Sequence, residues 1–245
     1  MSDHSRTSEE VKAFLLSSIG NNAQQTVHFY DSWAETYEKD SEKIHYNAPN
    51  LTVDFLDANF PGSREDVQVL DVACGSGLVA KLMVEKGFKH FVGVDGCKKM
   101  LELAAKTNLY QDLSLALLGT QPLPAETGVF DVVILVGGLG EGFIPVSIVR
   151  DLCHAAKPGG LVCMTRGNHS KGEEMEYKDE LERELQLMEQ EGLWSQVGTK
   201  HTDRYMGDVH SSTNGDQNNL QEEQFISGSI YLYKKSIHPQ ADIIQ

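Results

Sequence analysis

The chain is 245 residues long, with 40% hydrophobic and 23% charged residues and a formal net charge of −15. One large domain fits that length and composition, and so acidic a chain, without any run of Lys and Arg, is not expected to bind nucleic acid or an anionic membrane surface. No apolar stretch approaches the roughly 20 residues of a membrane span. Met1-Ser2-Asp3-His4 opens no basic-then-apolar leader, so a cytoplasmic location, with nuclear access, is the expectation. Cys74, Cys97, Cys153 and Cys163 show no CxxC spacing; reduced thiols in small buried spaces are expected, and no metal.

In chain order, Thr7-Ser8-Glu9-Glu10 predicts a capping box, with Gly20 closing the helix that follows. A second helix is predicted over Gln24–Tyr37 and a third after Pro49, ending near Pro61-Gly62. From Val67 short β-rich runs alternate with helical ones. Strands are predicted at Val67–Val72, Phe88–Val94, Leu113–Leu118, Val129–Val136 and Leu161–Thr165; helices at Leu78–Lys86, Lys98–Lys106 and Val146–Ala156. This βαβ alternation predicts an α/β, Rossmann-like, mostly parallel sheet with helices on both faces. Val132-Val133-Ile134-Leu135-Val136 suits a strand buried on both sides. Nine acidic residues against three basic between Lys171 and Glu191 make an acidic helix, most simply a solvated face. Lys200–Met206 and Phe225–Tyr233 read as two last strands, an antiparallel pair on one edge, with Ser211–Gln224 a loop between them. The organisation is one domain: an N-terminal helical lid (1–62), a core (67–166) and the acidic helix with the terminal strands (171–245).

The chemistry is carried by Leu70-Asp71-Val72-Ala73-Cys74-Gly75-Ser76-Gly77-Leu78-Val79-Ala80, a strand running through glycines into a helix. Gly75-x-Gly77-x-x-Ala80 also fits a dinucleotide loop, whose pyrophosphate would sit on the helix N-terminus. Asp71, at the strand's carboxyl end, would repel that anion. It suits a ligand with an ammonium group, neutralised directly or through water, and S-adenosylmethionine carries an ammonium and no phosphate. Asp95, twenty residues beyond Gly75 in Val92-Gly93-Val94-Asp95-Gly96, suits ribose hydroxyls in either case.

Together with Phe130-Asp131-Val132-Val133, Leu152 through Leu161 and Trp33-Ala34-Glu35-Thr36-Tyr37, these segments resemble class I S-adenosylmethionine-dependent methyltransferases. Among them they look like the Williams–Beuren syndrome chromosomal region 27 group of methyltransferase-like proteins. The resemblance implies a seven-stranded sheet with the last strand antiparallel and the cofactor at the strands' carboxyl ends. It implies Gly75 and Gly77 at the methionine end, with Ala73 and Val136 beside the cofactor. Asp95 is implied on the ribose, Gly96 and Met100 near the adenine with Thr120 and Gln121 at its edge, and Trp33 and Tyr37 as a roof. The chain departs from the family after Gly119, where relatives often place an acidic residue and Thr120-Gln121 stands here.

Methyl transfer from a sulfonium needs alignment more than a base. The loop Gly137-Gly138-Leu139-Gly140-Glu141-Gly142 leaves room for an acceptor, and Glu141 is its one ionisable side chain. Glu141 and His28 are weak candidate bases; His169, Arg166, Asn168 and Arg204 are weaker candidates for acceptor contacts. Two other readings stay open. One is a nicotinamide-dependent oxidoreductase, against which Asp71 speaks; the other is a non-catalytic cofactor-binding protein acting through a partner on the acidic helix.

Overall fold

A computed structural model describes residues 6–168, 172–210 and 224–237. The N-terminal helices open with α1 (Ser8–Leu16), capped by the reciprocal bonds of Thr7 and Glu10. Next comes α2 (Ala23–Trp33), whose own capping box of Asn22 and Gln25 starts it one residue before the predicted point. The predicted helix to Tyr37 breaks at Trp33, and α3 (Tyr37–Lys43) begins separately. The break is held by Asp40, whose Oδ2 accepts from the Trp33 indole N–H (2.9 Å), the Thr36 hydroxyl (2.8 Å) and Arg6 (2.7 Å). Three donors on one buried carboxylate outweigh one more helical turn. Next, α4 (Ala48–Asn59) carries Pro49 in its first turn.

The core alternates β1 (Gln68–Val72), α5 (Leu78–Glu85), β2 (His90–Asp95), α6 (Lys98–Lys106), β3 (Tyr110–Leu115), β4 (Phe130–Val136), α7 (Ile148–Ala155) and β5 (Ala156–Gly167). It ends in α8 (Gly172–Gln190), β6 (Trp194–Gly207) and β7 (Phe225–Lys235). The sheet order is β3-β2-β1-β4-β5-β7-β6, with β1 to β5 parallel and β7 antiparallel to both neighbours. The terminal pair is therefore present, but β7 enters between β5 and β6. Three strands differ in extent. At the edge, β3 starts at Tyr110, three residues before the prediction, because it registers Phe91 against Tyr110; Leu117 and Leu118 fall outside it. β5 reaches back to Ala156, and β6 starts at Trp194, which stacks on Tyr233 with ring centroids 4.5 Å apart. The polar residues of β6 that hid it in the sequence face outward from an edge strand. Most of the predicted loop Ser211–Gln224 lies outside the described residues.

Strand alternation divides the core. Leu70, Val72, Val133 and Leu135 face α7 and α8 with Leu152, Leu181 and Leu185. Val69, Val132 and Ile134 face the other way with Leu56, Met83 and Phe91. Each such fully buried side chain is worth about 1.5–3 kcal/mol. Asp71 shares the parity of Val69, so the strand turns a carboxylate into an apolar layer. β1 lies between β2 and β4, where the chain reverses its order across the sheet. The loops after β1 and β4 diverge there, and a crevice opens at the carboxyl ends.

Candidate cofactor and acceptor site

Registers Val72↔Val94 and Val72↔Leu135 bring Ala73–Gly77, Asp95–Cys97 and Gly137–Gly142 to one rim. In the first loop Ala73, Gly75 and Gly77 have positive φ (56°, 54° and 91°). A Cβ on Gly75 would meet no atom within 4 Å, so its Cα faces open space. Asp95 ties the two loops together: Oδ2 accepts from the Gly75 amide and Oδ1 from the Cys97 amide, both at 2.8 Å. Burial raises its pKa against the pull of those amides, and the charge of Asp31 raises it further.

Asp71 lies under the loop, 1% exposed. Its Oδ2 accepts from the Tyr110 hydroxyl at 2.7 Å, while Oδ1 is buried with no partner. Burial pushes its pKa up to about 7, against the Tyr110 bond; the charge of Asp95 adds to the rise. Tyr110 was invisible as a site residue, since only the pairing of β3 with β2 carries it to β1. Gly93 was the one available signal: a Cβ there would come within 2.9 Å of the Tyr110 ring and 2.7 Å of Leu113. The Ser76 hydroxyl is also buried and unpartnered.

At Asp95 and Gly96, the N-terminal helices meet the core through α2. Val27 lies over Gly96, 3.4 Å from a Cβ built there, and Ala34 packs with Cys97 and the buried Met100. Tyr30 and Tyr37 sit near Asp95 and are half-buried, and the desolvation of their hydroxyls raises both phenols, Tyr37 to about 12. Thr120 and Gln121 are exposed; the Thr120 hydroxyl bonds back to the Leu117 carbonyl at 2.8 Å. Trp33 donates its indole N–H to Asp40 and reaches the crevice indirectly, through the rings of Tyr37 at 4.9 Å and Tyr30 at 5.6 Å. A cleft of about 30 Å³ is lined by Tyr37, Tyr46, Ala73, Gly75, Ser76 and Val136. That holds a single water, far below the roughly 300 Å³ or more of a ligand site.

Two tyrosines that sequence reasoning missed lie beside the Gly137 loop, near the candidate Arg166. Tyr46, from the loop before α4, is in edge-on contact with Tyr205 of β6 at 5.9 Å. A Cβ on Gly137 would strike the Tyr46 hydroxyl, so this glycine is what admits it. Burial raises both phenols and keeps them protonated. Arg166, 1% exposed, donates to Glu174 at 3.0 Å, while its Nε has no partner. The weak candidates separate. Glu141 is exposed. His28 is exposed on the face of α2 that lines an outer groove with Phe14 and Phe29, turned away from the crevice. Arg204 covers Phe225 at 4.2 Å, and Asn168 donates to Ser227 at 3.1 Å. His169 lies outside the described residues.

Among the described residues no group of three or more His, Cys, Asp and Glu is placed to hold a metal, and no helix is long and apolar enough to cross a membrane. Residues 69–160 match the family model for the methyltransferase domain. Human methyltransferase-like protein 27 is 43% identical over 196 residues, 80% of this chain and 79% of that protein. The ubiquinone biosynthesis O-methyltransferase of Chromobacterium violaceum is 33% identical over 139 residues, 55% of this chain and 58% of that protein. In fold, an S-adenosylmethionine-dependent methyltransferase from Thermotoga maritima matches 85% of this chain and 99% of its own, at a TM-score of 0.54 and 16% identity. The chain belongs to the S-adenosylmethionine-dependent methyltransferases, in the family of methyltransferase-like protein 27.

Proposed function

We propose that the chain methylates a small molecule held between the lid and the Gly137–Gly142 loop, with the cofactor's ribose on Asp95 and its amino-acid end on Ala73–Gly77. Bound S-adenosylmethionine supplies a methyl group already activated as a sulfonium. The orphaned Asp71 Oδ1 and Ser76 Oγ and the open face of Gly75 fit a ligand ending in an ammonium and a carboxylate. The observation that carries the reading is Asp95. The amides of Gly75 and Cys97, with that of Gly96 beside them, hold the carboxylate in place, and its remaining lone-pair capacity is available to a ribose hydroxyl. Gly96 and Met100 then back the adenine under Val27, and Val136 and Tyr37 close the methyl end.

Among the described residues no base lines the cleft at neutral pH, because Tyr37 and Tyr46 stay protonated there. These residues therefore act by aligning the acceptor and excluding water. A cover of Tyr37, Tyr46 and Pro49 supports a small acceptor rather than a protein surface. The name of the Chromobacterium relative points the same way. The net charge of −15 speaks against a nucleic-acid acceptor, and four free thiols suit the cytoplasm, which fractionation checks.

The test combines methyl-labelled cofactor, purified chain and a cell extract separated by size. Label is expected in the small-molecule fraction, and label confined to protein overturns the acceptor class. Failure of S-adenosylhomocysteine to bind in calorimetry overturns the assignment of the crevice.

A further inference from the structure

Helix α6 begins without a strong cap of its own: Cys97 holds the N-cap position in an extended conformation and makes no side-chain capping hydrogen bond, its thiol being only a weak acceptor toward the Met100 amide. Free amides at a helix start need acceptors and favour negative charge. The acceptor comes from the lid: Asp31 Oδ1 takes the Lys99 amide at 3.3 Å, in the first turn of α6, and the Cys97 thiol at 3.0 Å. Asp31 lies one helical turn from Val27 and three residues before Ala34, so all three share the face of α2 turned to the core. Val27 covers Gly96, Ala34 packs on Cys97 and Met100, and Asp31 is the polar tie between them.

We propose that Asp31 is the latch of the lid, an N-cap supplied in trans that holds α2 down over the ribose and adenine side of the site. It is a positioning residue for cofactor binding, and the inference rests on the crevice being the cofactor site. Its charge lies close enough to Asp95 to raise that carboxyl's pKa, so the latch sits beside the proposed ribose carboxylate. The other polar tie from α2 to the core is the Thr26 hydroxyl on the Gly142 carbonyl at 2.8 Å. That bond anchors the first turn of α2 and leaves its second half to Asp31 and apolar contact.

The experiment compares wild type, Asp31→Ala, Asp31→Asn and the double variant Asp31→Ala with Cys97→Ser by amide exchange and calorimetry. Without ligand, Asp31→Ala is expected to speed exchange in residues 27–34 at least tenfold and to weaken S-adenosylhomocysteine binding about tenfold. Asp31→Asn keeps an acceptor oxygen for Lys99 and should retain most of the protection. In the double variant, Cys97→Ser places a hydroxyl at the N-cap and gives α6 its own cap. That change should return the melting temperature to the wild-type value while exchange in α2 stays fast and binding stays weak. Wild-type exchange in Asp31→Ala, or recovery of binding along with melting temperature in the double variant, would overturn the latch. The exchange comparison needs no ligand, so it stands even if S-adenosylhomocysteine fails to bind the wild type, which would instead overturn the proposed function.

Discussion

Asp71→Asn isolates the cost of the carboxylate under the glycine loop. The folded pKa of Asp71 is raised from 3.8 to about 7, chiefly by burial. A raised carboxyl stabilises the fold fully below its unfolded value, and that contribution drains away as pH rises through the folded value. Three pKa units at about 1.36 kcal/mol each make the loss about 4 kcal/mol between pH 4 and pH 8, as an upper bound. Asparagine keeps an oxygen for the Tyr110 hydroxyl and carries no charge. Urea unfolding at pH 4, 5, 6, 7 and 8 should therefore show the wild type losing stability relative to the variant, most steeply from pH 5 to 7. The slope of the difference is diagnostic, because the new amide N–H₂ shifts both ends alike. A cationic ligand amino group favours the ionised form, so cofactor binding near pH 7 should release a proton. Calorimetry in buffers of different ionisation enthalpy reads that proton, and Asp71→Asn should abolish it. Parallel stability curves for the two proteins across this range, with equal proton release, would refute the reasoning.

Asp95→Ala should weaken S-adenosylhomocysteine binding by the loss of charge-assisted bonds, each about 1.5–3 kcal/mol, and unchanged affinity in calorimetry would remove Asp95 from the site. Gly137→Ala forces a Cβ onto the Tyr46 hydroxyl at a positive φ of 72°. The variant should lose about 1–3 kcal/mol and let Tyr46 and Tyr205 come apart, visible as a lower midpoint in urea and altered tyrosine fluorescence. Trp33→Phe removes one of three donors from the buried Asp40, and a fall in Tm of several degrees is expected, at about 2–4 °C per kcal/mol for a chain of this size. An unchanged Tm would make that indole bond dispensable.

The alternation of β-rich and helical runs determined the fold class, because apolar periodicity is a local property and βαβ connections have one workable arrangement. Gly75, Gly77 and Asp95 were legible too, since tight turns demand glycine and the strand ends demand polar groups at set intervals. Thr7 with Glu10 announced the first helix for the same local reason. Only tertiary packing decided which groups share the site. Tyr110, Tyr46 and Tyr205 come from separate strands and loops, and no spacing along the chain links them. Asp71 looked like an open carboxylate; strand parity turned it inward onto Tyr110. His28 and Trp33 lie on a recognisable lid helix, but which way each faces depends on where α1, Asp40 and α6 sit against it. Long-range pairing chooses those neighbours, and a window of sequence carries no record of it.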